Sequence, residues 1–114
     1  MSRGWIGVDL DGTLAQYDGW KGPTHIGAPV EKMVERVKGW LAEGKTVKVL
    51  TARVSDRDPR VRADIEEALT QWTHKHIGRV LPTTCTKDYA MIELWDDRAV
   101  QVIPNTGQRA DGQP

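Results

Sequence analysis

The chain has 114 residues, enough for one domain with a real core and little left over for a second. Sixteen Lys and Arg balance sixteen Asp and Glu, so no global field marks the chain for nucleic acid. A single cysteine, Cys85, excludes an internal disulfide, and no apolar run approaches membrane-spanning length, so a cytoplasmic protein with no membrane partner is expected.

Met1-Ser2-Arg3-Gly4 leads straight into Trp5 to Leu10, a short, nearly continuous apolar run of the kind a strand buried on both faces requires. It is followed by Asp11-Gly12-Thr13-Leu14, and residues 12–28 then carry five Gly or Pro residues among polar ones, which predicts a long loop or small flap. Pro29 is suited to a first helical position. Val30, Met33, Val34, Val37, Trp40 and Leu41 follow at helical spacing, and Gly44 supplies the stop. Lys45 to Leu50 is the second strand, ending at Thr51-Ala52-Arg53.

Asp58 as cap and Pro59 as first residue open a second helix, with Val61, Ile65, Ala68, Leu69 and Trp72 as its apolar stripe and Gly78 as its end. Arg79 to Leu81 is a brief third strand candidate broken by Pro82, Met91 to Trp95 is a fourth, and Val100 to Ile103 a fifth. Residues 105–114 read as a polar tail, leaving 1–104 as the domain. Strands alternating with helices predict an α/β fold: a three-layer α/β/α, Rossmann-like domain on a mostly parallel sheet, with a small flap after strand one and no large cap.

Ligands of such sheets bind beyond the carboxyl ends of the strands. The chemistry-bearing residues fall there: Asp9 and Asp11 after strand one, Thr51 and Arg53 after strand two, Asp96 and Asp97 after strand four, with Lys87 in the loop just before it. Taken as the end of a strand, Asp9 and Asp11 point the same way. Two such carboxylates are costly to bury without a shared proton or a cation. Magnesium takes oxygen ligands, and Asp9 with one of Asp96 and Asp97 (Asp96 preferred) plus a backbone carbonyl suffices to hold it. The metal would let a dianionic phosphate approach Asp9. Thr51 can donate to a phosphate oxygen, Lys87 can neutralise the transferring group, and Asp11 can protonate the leaving oxygen and then activate water.

Several other residues read as ordinary structure. His74 and His76 are two apart on a helix and face different sides, Cys85 has no histidine context that would make it a nucleophile, and Asp64, Glu66 and Glu67 form a solvated helix face. Arg98 reads as a salt-bridge partner, and Arg53 either touches substrate or pairs with Asp56 or Asp58.

In order and spacing, Asp9-Leu10-Asp11-Gly12-Thr13, Thr51, Lys87 and Asp96-Asp97 resemble the four motifs of the haloacid dehalogenase-like superfamily, in its phosphatase branch, over residues 5–103. The resemblance implies a Mg2+-dependent phosphomonoester hydrolase working through an aspartyl-phosphate. Asp9 would be the nucleophile and Asp11 the general acid/base; Thr51 and Lys87 would hold the phosphoryl group, with Arg53 a further substrate-binding candidate, and Asp9, Asp11, Asp96 and Asp97 would build the metal site. Many members carry a large cap domain; here the gaps hold a flap and one helix, which implies an open site for a small phosphoester or nucleotide.

Asp9 to Ala15, Thr51-Ala52-Arg53, Arg62, Trp72 and Asp96-Asp97-Arg98 also resemble the phosphatase domain of phage polynucleotide kinase. That makes a nucleic acid 3′-end the alternative substrate, with Arg53, Arg57, Arg60 and Arg62 as a local phosphate-binding patch. A third class, the phosphoacceptor module of the response-regulator receiver kind, also combines carboxylates, Thr and Lys on a parallel sheet. Its phosphorylated Asp stands on a middle strand, whereas here Asp-x-Asp-Gly-Thr comes first and the second acidic pair last, an order that fits the hydrolase.

Overall fold

The computed structural model describes residues 4–114; residues 1–3, read above as leading into the first strand, lie outside them. The result is one Rossmann-like α/β domain on a four-stranded, all-parallel sheet flanked by helices. In chain order its elements are β1 (Trp5–Val8), α1 (Glu31–Ala42), β2 (Thr46–Leu50), a 3₁₀ turn (Ala52–Ser55), α2 (Pro59–Ile77), β3 (Thr83–Thr84) and β4 (Met91–Trp95). The strand order is β3-β2-β1-β4, with β1 central between β2 and β4.

The crossovers β1–α1–β2 and β2–α2–β3 step in the same direction, so right-handed connections set both helices on one face of the sheet. There α1 and α2 touch each other. With Ile6, Val8, Val47 and Val49 of the sheet they enclose a core that includes Met33, Val34, Val37, Ile65, Leu69 and Trp72. Full burial of each Val or Leu in this set contributes about 1.5–3 kcal/mol of transfer free energy. Where the α/β/α expectation places a second helical layer, side chains cover the sheet instead. Trp5 lies over Gly7, where an added Cβ would stand 3.0 Å from the indole ring, and the Lys48 ammonium sits 4.6 Å from that ring's centre. Among the described residues no helix is long and apolar enough to cross a membrane.

Local sequence explains most element boundaries. Asp58 caps α2 through Oδ1, which accepts from the Arg60 N–H at 2.9 Å; Pro59 occupies the first turn, and Gly78 ends the helix in the left-handed region at φ 95°. β4 occupies the expected residues. Helix α1 starts at Glu31 with Val30 as its cap residue, so Pro29 stands before the helix rather than in its first turn. Pro29 instead bridges Ala15, and flanking bonds from Gln16 N–H to Ala28 O and Val30 N–H to Leu14 O close the neck of the flap.

The expected third strand at Arg79 to Leu81 is found further on, at Thr83–Thr84, starting four residues later than expected. Proline has no N–H to give a ladder, and here the Pro82 carbonyl begins the pairing by accepting from Val49 N–H, while Leu81 N–H turns to the buried Thr73 hydroxyl. The expected fifth strand, Val100 to Ile103, does not join the sheet. Val102 bridges Arg109 in an antiparallel turn that passes through Asn105 and Gly107 at positive φ, so the boundary expected at 104/105 falls inside this turn.

Candidate functional site

β1 ends at Val8 and β4 at Trp95, and these two residues are register partners on adjacent strands. The next residues, Asp9 and Asp96, therefore emerge side by side at the carboxyl edge, and Asp9 N–H continues the ladder to Trp95 O at 2.9 Å. Asp97 completes a trio: one carboxylate oxygen from each of Asp9, Asp96 and Asp97 lies within 4.8 Å of the others. The glycine turn that follows makes room for it. Gly12 has φ 86°, and an added Cβ would stand 2.5 Å from Asp97 Oδ2. Thr13 Oγ1 donates to Asp97 Oδ1 at 3.3 Å, and Asp96 Oδ1 accepts from Arg98 N–H at 2.7 Å.

Such crowding has an electrostatic consequence. Burial, the hydrogen bond with Asp97 and the charge of Asp96 together push the Asp9 carboxyl from its ordinary 3.8 up to about 7. Part-buried Asp9, beside the exposed Asp97, therefore holds its proton more tightly than a free carboxyl does unless a cation takes the proton's place.

Asp11 is placed differently from the expectation. Its carboxylate stands outside the trio and accepts a two-pronged contact from Arg53, Nε to Oδ2 at 3.0 Å and Nη2 to Oδ1 at 2.8 Å. Asp11 is thus not among the clustered metal-type carboxylates. Arg53 is likewise not free for substrate, nor paired with Asp56 or Asp58: its Nη1 donates to the flap carbonyls of Pro23 and His25. Thr51 is where the sequence puts it, 2% exposed at the end of β2 and lining the cleft beside Asp9. Its Oγ1 accepts from Arg53 N–H at 3.2 Å, which leaves the hydroxyl proton to donate elsewhere.

Lys87 does not line the cleft; it is exposed, with no hydrogen bond or ion pair among the described residues. Only six residues, 85–90, join the end of β3 to the start of β4, so the loop must descend to the amino edge of the sheet at once. Asp88, the next residue, is already there, accepting from the Trp5 indole at 2.8 Å.

These residues open into a cleft of about 590 Å³, within the usual size range of small-molecule sites. Asp9, Asp96, Asp97 and Thr51 line it together with Asp11 and Arg53; Tyr17, Trp20 and Pro23 of the flap and Ala52, Ser55 and Asp56 after β2 also contribute. Tyr17 and Trp20 are 44% and 60% exposed, which keeps the mouth open. Arg98, read from sequence as a salt-bridge residue, makes no ion pair among the described residues and lines the cleft; its place directly after the acidic pair was the available signal.

No protein-family model matches the chain, and no curated protein matches it. Among solved structures, the chain is similar to a conserved protein coded by a locus from Bacteroides thetaiotaomicron, with a TM-score of 0.56 and 20% identity over 91% of this chain and 84% of that one. That similarity is one of fold.

Proposed function

We propose that the protein is a divalent-cation-dependent phosphomonoester hydrolase of the haloacid dehalogenase-like kind, with Asp9 as nucleophile. The carrying observation is the trio of Asp9, Asp96 and Asp97 oxygens gathered within 4.8 Å at the carboxyl edge of a parallel sheet, with the buried Thr51 hydroxyl lining the same cleft. The donor set fits Mg2+: it is all oxygen, and its mutual repulsion already calls for a positive partner. Bound there, such an ion would cancel carboxylate charge and help a phosphate dianion approach.

In the proposed reaction an Asp9 carboxylate oxygen attacks phosphorus while the bond from phosphorus to the leaving oxygen breaks. Asp11, carrying a proton on the one oxygen whose bond from Arg53 has opened, gives it to that oxygen, releasing an alcohol and leaving an aspartyl-phosphate. Asp11, now a carboxylate, takes a proton from a water that attacks phosphorus; phosphate departs and the Asp9 carboxylate is restored. Thr51 donates to a phosphoryl oxygen throughout.

The open cleft suits a small phosphoester or nucleotide. Arg57, Arg60 and Arg62 do not line it, so the nucleic-acid-end reading lacks the basic row it would need. The test is hydrolysis of an aryl phosphate with Mg2+ by the wild type and by Asp9→Asn. Turnover in the wild type that is lost in Asp9→Asn and in excess chelator is expected. Undiminished turnover by Asp9→Asn would refute the assignment.

A further inference from the structure

Arg53 makes more polar contacts than a substrate-binding arginine can spare. Its side chain is 6% exposed and follows directly from the turn in which its own N–H bonds Thr51 Oγ1. One edge of the guanidinium holds both Asp11 oxygens, at 3.0 and 2.8 Å, and Nη1 holds Pro23 O at 2.9 Å and His25 O at 2.7 Å. The guanidinium carbon stands 5.0 Å from the centre of the Trp20 ring. Four of the five guanidinium N–H groups are thereby used inside the protein.

The flap gives the second observation. Its neck is paired, but between residues 17 and 26 the described chain makes one internal backbone hydrogen bond, His25 N–H to Gly22 O at a long 3.4 Å. Lys21 and Asp18 add an exposed ion pair within the tip. Ile26 packs against the core and the Trp72 indole donates to Gly27 O at 3.0 Å just beyond it; ahead of these, the side-chain hydrogen bonds that hold the tip to the body of the domain come from Arg53.

We propose that Arg53 is a positioning residue, a latch that ties the Asp11 carboxylate and the flap tip into one geometry. Where Asp11 points and where the cleft wall stands are then set by the same side chain. A lysine cannot replace it, because a single ammonium cannot span a carboxylate on one side and two carbonyls on the other. The consequence for turnover rests on the phosphohydrolase reading above; the consequence for the flap does not.

Limited trypsin digestion of the full chain, followed by mass at the Lys21–Gly22 bond, tests the latch without any activity. Arg53→Lys and Arg53→Gln are expected to raise cleavage there about tenfold, as charged hydrogen bonds to the tip are lost, while thermal unfolding stays cooperative. Asp11→Asn should also speed this cut, and should add nothing in the Arg53→Gln background. Cleavage at the wild-type rate in both Arg53 variants, or additive effects of the two sites, overturns the proposal.

If the chain hydrolyses phosphoesters, a second measurement follows. An alkyl phosphate needs its leaving oxygen protonated far more than p-nitrophenyl phosphate does, so Arg53→Lys should lower the alkyl-to-aryl ratio of kcat/KM about tenfold or more, with inhibition by inorganic phosphate unchanged. Weaker inhibition by phosphate with an unchanged ratio would make Arg53 a phosphate ligand and refute the latch. If no phosphoester is turned over, the functional reading fails, and the proteolysis with its double variant still decides the latch.

Discussion

Because Asp9 binds its proton more tightly in the folded chain than its ordinary 3.8 allows, the cation-free protein should lose stability as pH rises. The sign follows from linkage: the advantage is complete below pH 3.8 and is lost as pH climbs to about 7, where the folded form also gives up the proton. At about 1.4 kcal/mol per unit, a shift from 3.8 to about 7 would be worth about 4 kcal/mol at full burial. Asp9 is only half-buried, and solvent screening reduces this to roughly 2 kcal/mol, most of it lost between pH 5 and 8. The part lost between pH 5 and pH 8, about 1.2 kcal/mol, is a fall in Tm of about 5 °C in a domain of this size. Asp18, Asp88 and Asp111 are shifted downward by their partners; their contributions are present above pH 3.8 and lost only below it, so they do not oppose this trend. Thermal unfolding in excess chelator at pH 5 and pH 8 measures the effect. Mg2+ should raise Tm more at pH 8 than at pH 5, because proton and cation compete for the same oxygens. Asp97→Asn should flatten the pH dependence in chelator and remove most of the Mg2+ effect. A cation-free Tm that holds or rises from pH 5 to pH 8 would refute the claim that the three carboxylates crowd one another.

Gly12→Ala drives a methyl into the Asp97 carboxylate at a position with φ 86°; it should cost about 1–3 kcal/mol and lower turnover at least about tenfold by displacing Asp97, which unfolding and initial rates will check. Thr51→Val keeps the volume of a buried residue and removes the donor facing the cleft; kcat/KM should fall about a hundredfold with a much smaller proportional change in stability. Thr73→Val leaves the buried Leu81 N–H without the hydroxyl it now bonds at 3.2 Å and should lower chemical-denaturation stability by about 1–3 kcal/mol, with activity intact.

What could be read from sequence was whatever local rules decide. The Asp58-Pro59 start and Gly78 stop of α2 are set by backbone chemistry within a few residues, and β4 is a continuous segment leading to the Asp96-Asp97 pair. Two misplacements share a different cause. β3 begins after Pro82 because the ladder is entered through a carbonyl, and Lys87 leaves the site because the connection to β4 is too short to stay at the carboxyl edge. Both depend on where neighbouring strands lie, which no window of sequence contains. The pairing of Asp11 with Arg53 spans 42 residues and was hidden behind nearer acids, Asp56 and Asp58.

The Asp9-Leu10-Asp11 triplet shows how this bears on chemistry. Strand alternation would aim both carboxylates at one ligand, but β1 stops at Val8 and the chain turns, with Leu14 and Ala15 N–H groups bonding Leu10 O. Asp9 stays on the line of the strand and meets the acids that β4 delivers. Asp11 is carried round the turn to Arg53, a cation in the 3₁₀ turn that follows β2. Two identical side chains two residues apart thus occupy opposite electrostatic settings, one crowded by negative charge and one clasped by a guanidinium. Under the proposed hydrolase reading, a nucleophile that needs a cation and a proton carrier that must not share it would require such a division. The early end of β1, rather than the spacing of the two aspartates, produces it.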